Sequence, residues 1–204
     1  MRITPLLIVS CLAITTQGCV TTPKQANSID IASQKLYQQH QEDIKTISKF
    51  TLKGRIGVQT EGKGFSGSLT WQHDSANDDI ALYSPLGGQV ASIEKTADKV
   101  TLEDAKGNSI SAPDAETLTQ NTLGWQLPLS GMVDWSLGRP TSSSIQNSTW
   151  DEQGHLSTLK QNGWDIEYQN YSEQNKHFLP SKIFLRSEKV NLKLLVENWT
   201  TINN

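Results

Sequence analysis

The residue with the clearest chemistry is Cys19, whose thiol can be acylated. It follows a glycine near the end of a short apolar run, residues 3–14, which is too short to span a bilayer. A small residue immediately before a cysteine is typical of a bacterial signal after which the thiol is acylated and becomes part of the new amino terminus. The alternative is an ordinary secretory signal with an incidental cysteine, since Thr16 stands where leucine is usual. We expect residues 1–18 to be cleaved and Cys19 to be lipidated, and two acyl chains give stable attachment to a membrane.

The other residues with catalytic or metal-binding chemistry form no recognisable pattern. The four histidines are His40, His73, His155 and His177, and none lies at metal-site spacing from another. His40 falls on the apolar face of a predicted helix, which favours a packed side chain over a ligand. Nucleophile motifs, His-x-x-x-His and phosphate-binding glycine loops are absent from the sequence. We therefore predict no enzyme, no cofactor and no metal, with a hydrolase that uses the loop carboxylates Asp74, Asp78 or Asp79 as an alternative.

Length and composition favour one strand-rich domain. The chain has 204 residues, of which 35% are hydrophobic and 19% are charged, and its net charge is −3. No block of Lys or Arg occurs, which argues against a nucleic-acid partner and against a basic patch for anionic lipid. If cleavage precedes Cys19, only one cysteine remains, and the mature chain has no internal disulfide.

The stretch 82–88 predicts a loop between two strands with an unusual tip. Pro85 presets the first corner of a turn, and Gly87 and Gly88 provide the conformational freedom to leave it. Loop tips are normally polar, yet this one carries Leu86. The leucine either folds back under the sheet or faces an apolar partner outside the protein.

The elements that position this loop are mostly strands. Residues 28–48 have helical apolar spacing, and from Phe50 the period changes to two. Two short helices interrupt the strands, the first from about Pro113 to a stop at Gly124 and the second over about 130–137. About eleven strands are predicted, over 50–59, 65–72, 79–84, 89–95, 99–104, 108–112, 144–150, 155–161, 164–171, 182–187 and 190–199.

These elements predict a mainly β (α+β) fold, in which a curved antiparallel sheet forms a half-open barrel and the helices form a lid over its mouth. Eleven strands enclose more space than eight, so we expect an apolar cavity inside. A fully packed interior is the alternative. The residues expected to line the cavity or its lid are Leu52, Ile56, Leu69, Trp71, Leu82, Leu118, Leu127, Leu129 and Trp135.

Several short motifs occur together in a characteristic order. They are Cys19 after the signal, Tyr37-Gln38-Gln39-His40, Gly54, Gly67-Ser68-Leu69-Thr70-Trp71-Gln72, Ser84-Pro85-Leu86-Gly87, Leu127-Pro128-Leu129 and Trp135-Ser136-Leu137-Gly138-Arg139-Pro140. In these motifs the chain resembles the LolB family, the outer-membrane lipoprotein receptors of Gram-negative bacteria. The resemblance spans almost all of the mature chain, although Tyr37 replaces a frequent tryptophan.

The resemblance implies a receptor on the periplasmic face of the outer membrane, anchored through Cys19. Such a receptor accepts acylated lipoproteins from the soluble carrier LolA, holds their acyl chains in the cavity and inserts them into the membrane. It also implies that Pro85, Leu86 and Gly87 form a loop that contacts lipid. We expect a cleaved signal (1–18), a flexible tether (19–27) and a single monomeric domain (28–204), with no nucleic acid bound. A structural or adaptor lipoprotein with a packed barrel, or a periplasmic hydrolase, are the alternatives.

Overall fold

The computed structural model of the chain describes residues 31–123 and 126–202. It contains three helices and eleven strands within those ranges. The first part comprises α1 (Ile31–Lys45), β1 (Lys49–Thr60), β2 (Gly64–Asp74), β3 (Asn77–Tyr83), β4 (Gln89–Lys95), β5 (Val100–Asp104) and β6 (Ser109–Ala112). The second part comprises α2 (Ala115–Leu123), α3 (Leu129–Ser136), β7 (Ile145–Trp150), β8 (Leu156–Gln161), β9 (Trp164–Gln174), β10 (His177–Arg186) and β11 (Val190–Ile202).

All eleven strands belong to one antiparallel sheet that does not close. Their order is β6-β5-β4-β3-β2-β1-β11-β10-β9-β8-β7, so the first and last strands of the chain meet in the middle and β6 and β7 form the two edges. The inserted helices α2 and α3 lie in the connection between those two edge strands. The expected mainly β, half-open fold with an N-terminal helix and two further helices is therefore confirmed.

Two glycines permit close approach of neighbouring strands in the middle of the sheet. A Cβ on Gly54 would lie 2.1 Å from the carbonyl oxygen of Leu195, and a Cβ on Gly67 would lie 2.1 Å from that of Tyr83. At Gly54 the pairing of β1 with β11 also shifts register, which is the mark of a bulge. Strong local bending of this kind curves the sheet around its core.

Alternating residues of the central strands fill the inside of the curve. Phe50, Trp71 and Trp199 meet edge to face, with ring centroids of Phe50 5.3 Å from Trp71 and 5.1 Å from Trp199. The helices add Leu118, Leu129, Met132, Trp135 and Leu137 to the same core. Burial of these side chains, at about 25 cal/mol per Å² of apolar surface, is the main stabilising term of the fold.

Arg139 joins the end of α3 to the end of α1. Its Nε donates to Oδ1 of Asp134 at 2.6 Å. One terminal guanidinium nitrogen donates to the carbonyls of Ile44 at 2.8 Å and Ile47 at 3.2 Å. These carbonyls lie at and just beyond the C-terminus of α1, where a cation is favourable and partners within the helix are missing.

Several sequence-based boundaries were wrong by a few residues. The largest difference is β10, which begins at His177 rather than Lys182 and includes the buried Pro180. Asn175 and Lys176 have positive φ values of 46° and 74° and form the hairpin turn before it. His73 and Asp78 were assigned to a loop but lie in β2 and β3, paired across the two strands. The expectations for residues 1–18, Cys19 and 19–27 fall outside the described residues.

Candidate functional site

Leu86 lies at the tip of the β3–β4 turn, and its side chain is 98% exposed. The Gly87 N–H donates to the Ser84 carbonyl at 2.9 Å, and the Ser84 N–H donates to the Gly88 carbonyl at 2.8 Å. Gly87 has φ +89°, a left-handed conformation that a glycine adopts without strain. The turn is thus closed by two hydrogen bonds, and the leucine projects into solvent instead of folding under the sheet.

The strand order places this turn at one end of the sheet, which we call the mouth. β3 ends and β4 begins there, and because all neighbours are antiparallel, the β8–β9 and β10–β11 turns lie at the same end. The β2–β3 and β9–β10 turns lie at the opposite end. Leu86 therefore shares the mouth with Asn162-Gly163 and with Ser187-Glu188-Lys189.

The residues expected to line an acyl cavity are brought together, but they are packed. Seven are buried, with exposures from 0% to 8%: Leu52, Ile56, Leu69, Trp71, Leu118, Leu129 and Trp135. Leu82 and Leu127 are half-buried against the same core. In this conformation side chains fill the space where the sequence predicts a cavity.

A narrow apolar gap remains between α3 and the sheet. It has no room for a water molecule and is lined by Met132, Trp135, Ser136, Ile183, Leu185 and Leu194. Its walls come from α3 on one side and from β10 and β11 on the other. Widening this gap for a ligand requires α3 to move away from the sheet.

Tyr168 lies on β9 directly across from Ile183, one of the residues that line this gap. Its hydroxyl is buried and has no hydrogen-bond partner within the described residues. Burial raises the pKa of Tyr168 well above its ordinary value, so the phenol remains protonated. The hydroxyl of Tyr168 is therefore a buried polar group that is unsatisfied within the described residues.

Gln161 holds the end of α3 against the sheet. Its Oε1 accepts hydrogen bonds from Trp135 Nε1 at 2.9 Å and from the Thr141 N–H at 3.0 Å. Its Nε2 donates to the carbonyls of Thr141 at 3.2 Å and Ser143 at 2.7 Å. A buried amide with all these partners is strongly oriented. Gln161 could not be identified from the sequence, because a lone glutamine at the end of a strand carries no pattern.

A larger cleft opens at the mouth beside α3. It has a volume of about 470 Å³ and lies between α2, the start of α3, and the β8–β9 and β10–β11 turns. Its walls are mostly polar, with Glu116, Gln120, Gln126 and Asn162 among them. Trp135 lines both this cleft and the apolar gap under α3. This cleft was not predicted from the sequence.

The histidines pair in ways that the sequence analysis did not predict. His40 of α1 bonds through Nε2 to the Phe178 carbonyl at 2.8 Å, and its ring lies 4.8 Å from that of His155. Burial lowers the pKa of His40.

The other two histidines at this end also have close partners. His155 stacks on Tyr171 with ring centroids 4.6 Å apart, and His177 Nδ1 lies 2.7 Å from Oδ2 of Asp43. This cluster packs α1 against the end of the sheet opposite the mouth, in agreement with the expectation of a packed His40.

Asp78, one of the alternative hydrolase carboxylates, is held inside the sheet. Its oxygens accept from Trp71 Nε1 at 2.8 Å and from Lys95 Nζ at 3.0 Å, and contact His73 Nδ1 at 2.7 Å. Burial alone would raise the pKa of Asp78, but the hydrogen bonds outweigh it, and the net shift is downward. Its neighbour Asp79 points to the opposite, exposed face. The described side chains therefore do not bring these two carboxylates together.

Two further observations concern membranes and metals. No helix within 31–123 or 126–202 has the length and apolar character needed to cross a bilayer. Within the same ranges, no cluster of three or more His, Cys, Asp or Glu side chains is arranged to hold a metal ion.

Comparison with solved structures supports the fold. A LolA superfamily protein from Nitrosomonas europaea superposes with a TM-score of 0.53, covering 85% of this chain and 95% of that one at 8% identity. At such low identity the likeness concerns the fold alone.

Comparison with known sequences identifies the family. The family profile described as "Outer membrane lipoprotein LolB" matches residues 48–199. The outer-membrane lipoprotein LolB of Stutzerimonas stutzeri is 30% identical over 193 residues, covering 95% of this chain and 94% of the relative. That of Pseudomonas syringae pv. syringae is 32% identical over 163 residues, 80% of each chain. The chain belongs to the LolB family of outer-membrane lipoproteins.

Proposed function

We propose that this protein is an outer-membrane receptor that accepts acylated lipoproteins from the periplasmic carrier LolA and inserts them into the outer membrane. Membership of the LolB family supports a role in lipoprotein localisation rather than enzymatic activity. The observation that carries the delivery step is the side chain of Leu86, 98% exposed at the tip of a hydrogen-bonded turn. A leucine held in that position contributes to binding only when it enters an apolar environment.

The anchor proposed is a lipid on Cys19, joined through a tether at 19–27 to one monomeric domain at 28–204. With the anchor in the periplasmic face of the membrane, the domain samples the surface without diffusing away. Insertion of Leu86 adds about 1.5–3 kcal/mol. That contribution orients the mouth transiently and leaves the domain able to detach and accept the next lipoprotein.

The acyl chains are proposed to enter the interior under α3. A buried methylene contributes about 0.8 kcal/mol, so an acyl chain of about sixteen carbons contributes roughly 12 kcal/mol. Release into water would be very slow at that cost. The lipoprotein must therefore pass from one apolar interior to the next, and then directly into lipid. In this proposal the packed arrangement is a closed state, and it opens at the gap beneath Met132 and Trp135.

A second candidate is a structural or adaptor lipoprotein whose barrel remains packed. The filled interior favours it, since residues such as Leu52 and Trp71 have no exposed surface. The two functions differ in whether the closed state opens for acyl chains.

Replacing Leu86 with glutamate tests the delivery step. We expect Leu86→Glu to bind an acylated lipoprotein as tightly as the natural protein, because Leu86 lies outside the core. Transfer of labelled lipoprotein to liposomes should slow roughly ten- to hundredfold, because the lipid contact is lost. The matched control is Ala97→Glu, which places the same charge in an exposed turn at the opposite end of the sheet. Normal transfer by Leu86→Glu, or equal slowing in both variants, would reject the proposed role of this turn.

A further inference from the structure

The polar cleft at the mouth is a separate site from the apolar interior, and the two adjoin at Trp135. The cleft has a volume of about 470 Å³, within the range of pockets that hold small ligands, roughly 300–1,000 Å³. Its walls provide side-chain donors and acceptors from Gln120 of α2, Gln126 before α3 and Asn162 of the β8–β9 turn. The indole rings of Trp135 and Trp164 also line it, with centroids 6.5 Å apart.

Trp135 is the boundary between the cleft and the interior. It is among the residues that line both the polar cleft and the apolar gap under α3. The indole N–H of Trp135 already donates a hydrogen bond to Gln161 Oε1 at 2.9 Å, so it needs no acceptor from a ligand. A ligand that extends from the cleft into the gap must therefore be polar on one side of this ring and apolar on the other.

We propose that the cleft binds the polar head of the acylated lipoprotein, namely the glyceryl-cysteine and the first peptide units, while its acyl chains lie under α3. This inference rests on the proposed function and adds a binding site for the polar part of the lipoprotein. Amide and ester groups at that junction match the amide side chains and the hydroxyl of Ser130 in the cleft. Amphipathic indole rings are suited to such a boundary, since one end of the ring is apolar and the other polar.

The position of the cleft also suits delivery. It lies at the mouth, at the same end of the sheet as Leu86. A lipoprotein whose head occupies the cleft is therefore held at the end of the domain that faces the bilayer. Its acyl chains then have a short path into lipid when α3 opens.

The test places a large side chain in the cleft and asks which ligand is lost. Gln120→Trp fills the cleft from α2, and Asn121→Trp places the same side chain on the adjacent exposed residue of the helix, which does not line the cleft. Three probes are titrated against the full chain: a synthetic peptide beginning with diacylated glyceryl-cysteine, the same peptide without acyl chains, and palmitate. Gln126→Trp serves as a second cleft variant, and circular dichroism checks that each variant is folded.

We expect Gln120→Trp and Gln126→Trp to weaken binding of the diacylated peptide at least tenfold and to change palmitate binding less than twofold. Asn121→Trp should change neither. Equal binding of the diacylated peptide by cleft and control variants would overturn the inference, and so would equal weakening for palmitate. If the natural protein binds neither acylated probe, the proposed function itself is overturned, and with it the binding of the polar head in the cleft.

Discussion

At the scale of single residues, Asp78 is a carboxylate removed from solvent and held by three donors. Hydrogen bonds from His73, Trp71 and Lys95 lower its pKa in the folded state despite burial. A carboxyl whose pKa is lowered on folding stabilises the protein above its unfolded pKa, about 3.9, and that contribution is lost as the pH falls through the folded value. Acid should therefore loosen the β2–β3 pair.

We predict that Asp78→Asn lowers the free energy of unfolding by roughly 2–3 kcal/mol at pH 7, because Lys95 and His73 lose a charged acceptor. The difference from the natural protein should begin to shrink below about pH 4, because the carboxyl of the unfolded chain then takes up a proton while the folded carboxyl, with its lowered pKa, does not. Urea unfolding at pH 7 and at pH 3.5 measures both effects. Asp79→Asn, on the exposed neighbour, should be nearly neutral, and a constant difference at both pH values would contradict the account.

Tyr168 gives a residue-scale prediction of the opposite sign. Its buried hydroxyl has no partner within the described residues, so Tyr168→Phe removes an unsatisfied polar group. We expect the free energy of unfolding to rise by about 1 kcal/mol, which corresponds to about 2–4 °C in Tm for a chain of this size. The matched variant is Tyr171→Phe, which loses a 2.9 Å hydrogen bond to the Leu156 carbonyl and should be less stable. Equal destabilisation by both changes would show that Tyr168 has a partner after all.

Local structure could be predicted where the residues that determine it lie near one another in the sequence. Pro85 and Gly87 flank Leu86 directly, so turn chemistry predicted the turn, whereas the outward direction of the leucine was implied only by the family resemblance. The contact of His40 with His155, and that of Trp135 with Gln161, join residues distant in the chain. Neither pair has a local pattern, because each contact exists only once the sheet has curved and the helices have docked.

At the scale of elements, α1 and α3 are joined through Arg139. Replacing it with glutamine leaves the carbonyls of Ile44 and Ile47 without their cationic donor. We predict that Arg139→Gln costs about 2 kcal/mol and increases hydrogen exchange at the end of α1 and in α3, with little change in β1 or β11.

The control for this change is Arg55→Gln, which removes an exposed ion pair with Glu197 in the sheet. Exposed pairs contribute at most about 1 kcal/mol, so exchange in the helices should not respond. If Arg139→Gln accelerated exchange uniformly across the sheet, the guanidinium would support the whole fold and not the helix junction.

Periodicity predicted the number and type of the helices and strands, but it did not predict where all of them begin and end. Alternation of apolar and polar residues identified the central strands, because one face of each is buried, whereas the edge strands β6 and β7 have no buried residue. Pro180 concealed the start of β10, since a proline has no N–H to donate to the ladder and argues against a central strand. Here it pairs with Tyr171 in the middle of the β9–β10 hairpin.

At the scale of the whole molecule, the sheet leaves its two edge strands, β6 and β7, unpaired with each other, and α2 and α3 lie in the segment that connects them. This open architecture could be predicted from eleven strands with a helical insertion. Whether the inside is empty could not, because the same leucines and tryptophans fit a lined cavity and a packed core. Within the described residues these side chains pack together, and a narrow gap remains under α3.

Native mass spectrometry of the purified protein mixed with an acylated lipoprotein tests most directly whether that interior opens. We predict a one-to-one complex, and none with the same lipoprotein after its acyl chains are removed. Absence of a complex with the acylated form, or equal binding of both forms, would contradict an acyl-binding interior and favour the packed adaptor.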